Sequence, residues 1–151
     1  MLQNLILSAS NLFGLFPFIA LLTTDPCGSV LVGASMLSSG AYHLIETHKH
    51  GMPGIGYFDS YQNHQKFIWV DRICAILSII YFEYWYSDAL YEFEGRSLIL
   101  KDPFILGIFG LICMGFSEMV FKRKKDQCGY ILTHLIWHFS AYYSLYMMVT
   151  S

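Results

Sequence analysis

Hydrophobic positions along this chain gather into five long blocks that nearly exclude charge, near 5–22, 29–45, 67–86, 103–121 and 130–149. Wound as a helix with about 1.5 Å rise per residue, each block is long enough to cross most of a ~30 Å hydrocarbon core. Turn chemistry separates the blocks. Asp25-Pro26 and Gly28 part the first two, and Gly51-Met52-Pro53-Gly54 with Gly56 breaks the chain after the second. Asp102-Pro103 opens the fourth, where proline suits a first helical turn. The pattern predicts an all-α fold: one integral membrane domain over 1–151, a polytopic transmembrane helical bundle of about five spans.

Composition agrees with lipid as the solvent, since 55% of the residues are hydrophobic and 13% charged, against about a quarter charged in a soluble domain. The net charge of −2 and the lack of a basic helix face exclude a nucleic-acid binder. Cys27, Cys74, Cys113 and Cys128 show no C-x-x-C spacing, which argues against a disulfide framework or a thiolate metal site. The first block lacks the basic leader and the cleavage site of a secretory signal, so it reads as a span. Tyr81, Phe82, Tyr84, Trp85 and Tyr86 form an interfacial aromatic belt. Gly107, Gly110 and Gly115 on the fourth block would let a neighbouring helix come close.

Lys and Arg near span ends accumulate on the cytoplasmic side. Lys49, Lys66, Arg72, Lys122, Arg123, Lys124 and Lys125 fall on one side of the predicted bundle, while Arg96 and Lys101 fall on the other among Asp25, Asp88, Glu92, Glu94 and Asp102. This asymmetry puts the N-terminus in the cytoplasm and the C-terminus outside or in a lumen.

Ionisable side chains inside apolar spans are costly unless paired or functional. His43 lies near the end of the second block, Asp71 near the start of the third, and His134 and His138 in the first part of the fifth. Alternating helix directions bring all four to one depth, on the cytoplasmic side. His134 and His138 are four apart and project from one helical face, a spacing that suits two ligands of one metal. His43 supplies a third nitrogen, and Ser39 shares its face one turn away. Three imidazoles without a fourth protein ligand describe an open zinc site whose remaining position holds an activated water. Asp71 is the candidate general base, and Ser39 the candidate hydrogen-bonding partner of that water or of an oxyanion. Glu46, one turn beyond His43, could support the ligands. His48, His50, His64 and Glu118 lie on the same side with no assigned role, and Asp59 and Tyr61 could shape a mouth.

The set Ser39-x-x-x-His43, Asp71 and His134-x-x-x-His138 resembles the CREST superfamily of membrane hydrolases. That superfamily includes alkaline ceramidases, progestin and adipoQ receptors, haemolysin III proteins and myomaker-like proteins. The resemblance rests on the order, spacing and placement of these five residues, and the superfamily usually has seven spans where this chain has room for about five. It implies that the three histidines bind zinc, that Ser39 and Asp71 complete the site, and that the reaction is hydrolysis of a lipid amide or ester bond.

The expectation is therefore a zinc-dependent intramembrane hydrolase, with a ceramide-like N-acyl lipid as the first guess for substrate and zinc-activated water as nucleophile. A homodimer could complete a lipid-sized pocket. The rival expectation is a non-enzymatic, receptor-like or fusion-related membrane protein in which zinc is a structural clamp. A haem held by two histidines ranks last, because it gives Ser39 and Asp71 no part.

Overall fold

The computed structural model describes residues 2–45, 61–124 and 126–151, with side chains placed for 4–45, 65–122, 124 and 126–151. Glu46, His48, Lys49, His50, Asp59 and Lys125 lie outside the described residues, as do the side chains of Tyr61, His64 and Arg123.

The first apolar block is two helices rather than one. Helix α1 (Leu2–Ser10) passes through a 3-10 turn (Asn11–Gly14) into α2 (Leu15–Leu21). Helix α3 spans Pro26–Ile45, and α4 spans Tyr61–Trp85. A short α5 (Ser87–Leu90) leads into strands β1 (Tyr91–Glu94) and β2 (Ser97–Leu100). Helix α6 (Asp102–Phe116) widens into a π-helical segment (Ser117–Phe121), followed by α7 (Lys122–Lys124) and the closing α8 (Gln127–Thr150).

Helices α3 and α8 begin with the same device. The Asp25 carboxylate accepts from the Gly28 N–H at 2.9 Å, and that of Asp126 from the Gly129 N–H at 3.0 Å. Each carboxylate satisfies an amide that the first helical turn leaves orphaned. A Cβ at Gly129 would stand 2.8 Å from its capping carboxylate and 2.5 Å from the Phe121 ring, so only glycine fits there. Asp25 also accepts from the Tyr81 hydroxyl at 2.8 Å and the Tyr86 hydroxyl at 3.1 Å, which ties the start of α3 to the end of α4. Burial pushes the Asp25 carboxyl up, but the hydrogen bonds from Gly28, Tyr81 and Tyr86 outweigh it and hold the group below the usual carboxylate range.

The bundle is polar inside and apolar outside. Among the described residues, buried polar side chains are as numerous as buried apolar ones, and they include Asn4, Asn11, Ser29, Ser140 and Ser144. Large apolar groups meanwhile stand exposed on every long helix: Leu37 at 70%, Ile80 at 60%, Ile112 at 52% and Leu132 at 58%. Burial of that many polar groups is uncommon in a soluble fold. Interior contacts are correspondingly hydrogen bonds between helices, such as Ser35 with Ser78 at 2.8 Å and Ser144 donating to the Pro103 carbonyl at 2.5 Å.

The structure corrects the expected bundle of about five spans. Among the described residues, two helical stretches are long and apolar enough to cross a membrane, Asn4–Leu21 and Asp102–Phe121. Helices α3, α4 and α8 fall short for a physical reason: they carry the polar interior. Ser29, Ser35, Ser38, Ser39 and His43 lie on α3, and Asp71 and Ser78 on α4, whose Lys66, Arg72 and Glu83 are exposed charges. Thr133, His134, His138, Ser140 and Ser144 lie on α8. The fold is all-α as expected, apart from one short hairpin at 91–100, where β1 and β2 pair antiparallel across Gly95-Arg96. Gly95 takes φ 60° there, a value glycine adopts without the steric cost other residues bear. Tyr91, Phe93, Leu98 and Leu100 share one face of this hairpin by register.

Candidate metal centre

His43 sits near the C-terminal end of α3, and His134 and His138 lie one turn apart on α8. The three rings meet edge to face, with centroids 4.7 Å apart for His43 and His134, 5.4 Å for His43 and His138, and 4.8 Å for His134 and His138. All three side chains are buried, at 1%, 6% and 4% exposure in chain order. One nitrogen from each lies within 4.8 Å of the other two, so the cluster could hold a metal ion. In a tetrahedral site with Zn–N near 2.1 Å, nitrogens stand roughly 3.3 Å apart. The donor set could therefore hold such an ion if the rings closed in by up to about 1.5 Å.

The remaining two residues of the pattern stand beside the rings. Ser39 Oγ is 3.5 Å from His138 Nε2, and the Ser39 hydroxyl donates to the half-buried Asp71 carboxylate on α4. Asp71 is also within electrostatic reach of His43 and Glu118. Residues from α3, α4, the π segment and α8 thus surround one small volume, although Asp71 and His134 are far apart in the chain.

A second polar group lies over this volume. Lys122 Nζ donates to Glu118 at 3.1 Å and to the Tyr42 hydroxyl at 3.4 Å, and the Tyr130 hydroxyl donates to Glu118 at 3.1 Å. The Tyr130 ring stacks on His134 with centroids 5.2 Å apart. Glu118 and Lys122 are one turn apart and pair as such residues do on a helix surface.

Over 144 residues, 91% of this chain and 90% of its own length, "Uncharacterized protein L282" of Acanthamoeba polyphaga mimivirus is 31% identical to it. The chain belongs to that protein's family. No family model and no solved structure matches.

Two residues that contact the histidines lie outside the sequence pattern. Ser10 Oγ is 2.6 Å from Nδ1 of His138, and Ser117 Oγ is 3.0 Å from Nδ1 of His134. Both serines are buried. A serine inside an apolar block was the available signal, but the chain has several, and sequence does not say which of them faces a histidine.

Proposed function

We propose that His43, His134 and His138 hold one zinc ion and that the chain is a membrane-embedded, zinc-dependent hydrolase of a lipid amide or ester bond, of the kind found in the CREST superfamily. The observation that carries this reading is the convergence of three buried imidazoles beside a hydrogen-bonded Ser39–Asp71 pair. When bound, zinc supplies a Lewis acid that polarises a carbonyl and lowers the pKa of water to about 7. Asp71 then holds the proton released from the attacking water. Ser39 bridges the centre and Asp71, and keeps that carboxylate oriented.

The substrate is a membrane lipid with an acyl group in amide or ester linkage, a ceramide-like N-acyl lipid first. The exposed apolar surface lets such a lipid reach the centre from the side, and a homodimer could enclose it. Asn4–Leu21 and Asp102–Phe121 anchor the chain in the bilayer. The basic character of 122–125 favours the cytoplasmic side for the centre and the N-terminus.

The test is elemental analysis of the purified protein together with release of an acyl chain from ceramide in liposomes. One zinc per chain and slow acyl release, both lost in His138→Ala, are expected. Activity that survives His138→Ala discards the mechanism. The structural-zinc reading draws on the depth of burial of the rings, which suits a clamp between α3 and α8. It requires that chelation lower the melting temperature while Asp71→Asn leaves every function intact.

A further inference from the structure

Each histidine of α8 has its Nδ1 engaged by a serine from a different part of the chain. Ser10 meets His138 at 2.6 Å and Ser117 meets His134 at 3.0 Å. A hydroxyl has one proton to donate. Ser10 gives its proton to the Leu7 carbonyl, 2.7 Å away, and Ser117 gives its own to the Tyr130 carbonyl over a longer 3.4 Å bond. Both contacts of each serine are satisfied at once when the serine accepts from its histidine. That arrangement puts the ring proton on Nδ1 and leaves Nε2 with a lone pair.

The opposite edge of His138 agrees with this assignment. Its Nε2 faces Ser39 Oγ at 3.5 Å, a long contact, while Ser39 also interacts with Asp71. A lone pair on Nε2 is therefore only weakly engaged, which suits a cation. Both supporting serines stand where the backbone departs from α-helix. Ser10 ends α1 just before the 3-10 turn, and Ser117 opens the π-helical segment. Such irregular turns re-aim side chains and are frequent at functional sites.

We infer that Ser10 and Ser117 are positioning residues of the metal centre: they lock His138 and His134 in the Nδ1–H tautomer so that both present Nε2 to the ion. This rests on the zinc reading above. It makes α1 part of the centre although α1 supplies no ligand, and it explains why a serine is buried at each helix irregularity.

The test uses the full chain in detergent. In the zinc-stripped wild type, 15N spectra of labelled histidine should show Nδ1 protonated and Nε2 unprotonated for His134 and His138. The opposite tautomer at either ring overturns the inference. In a chelator competition on folded protein, Ser10→Ala and Ser117→Ala should each weaken zinc binding about 10- to 100-fold. Unchanged affinity in both variants overturns the inference. If a variant does not fold, the wild-type spectrum decides alone. A wild type that binds no zinc in the same titration overturns the zinc reading itself, which keeps the two failures distinct.

Discussion

The rings of His43 and His134 meet edge to face at 84° with centroids 4.7 Å apart, although one belongs to α3 and the other to α8. Neither helix can rotate about its axis without taking a nitrogen out of the cluster. A metal held by this cluster would tie α3 to α8 through these side chains.

His43→Ala removes the α3 half of that contact and leaves two ligands on a single helix. Zinc affinity should fall by more than the roughly 100-fold that loss of a supporting contact costs, measured by chelator competition. A variant that keeps one tightly bound zinc per chain would show that His43 is not a ligand.

Asp71→Asn keeps an oxygen to accept the Ser39 proton but removes the base. Acyl release should drop by about 100- to 10,000-fold, the usual worth of a general base, while zinc content stays at the wild-type level. Both quantities are read on one preparation, by product release and by elemental analysis. Equal loss of zinc and activity would make Asp71 a structural support.

Acid should loosen the far end of the bundle. Asp25 is held below its ordinary carboxyl value of 3.8 in the folded chain. A folded value lower than the unfolded one gives stability that is complete above the unfolded pKa and is lost as pH falls through the folded pKa. Melting temperature in detergent should thus be flat with respect to this group above about pH 5 and decline below about pH 4. Asp25→Asn keeps a cap for Gly28 but cannot titrate, so its decline should be shallower. Identical acid profiles for the two proteins would remove Asp25 from the account.

Close approach of α6 and α8 depends on Gly110. A Cβ there would lie 3.0 Å from the Ser140 Cβ and 3.1 Å from the Trp137 ring. The Ser140 Cβ is fixed to its helix and cannot move aside. Gly110→Ala should therefore destabilise by about 1–3 kcal/mol, the cost of overpacking a tight contact. At Gly115 the same addition meets only the flexible end of Met119 at 3.4 Å. Gly115→Ala should be neutral or slightly stabilising, because alanine is the better helix former by about 1 kcal/mol. Thermal melts of the pair check the contrast.

Part of this molecule is legible without coordinates. The four-residue spacings Ser39–His43 and His134–His138 put each pair on one helical face, whatever the neighbours do, because helical period is a local property. Apolar block length likewise marks the places where helices run. The number of spans is not legible in those same blocks, since Ser, His, Asp and Arg within α3, α4 and α8 lower the apolar character of those helices. The 3-10 turn at Asn11–Gly14, the π segment at Ser117–Phe121 and the hairpin at 91–100 were not visible either.

The sequence by itself determined that polar and titratable groups are embedded among apolar helices, and which of them share a helical face. Only the tertiary structure decided that Ser10 reaches His138, that Ser117 reaches His134 and that Ser39 meets Asp71. Periodicity fixes a side chain's direction relative to its own helix axis, whereas a partner across the bundle depends on how two helices are rotated and offset. That rotation is set by the sum of many contacts such as Gly110 on Ser140, and no short stretch of sequence contains it.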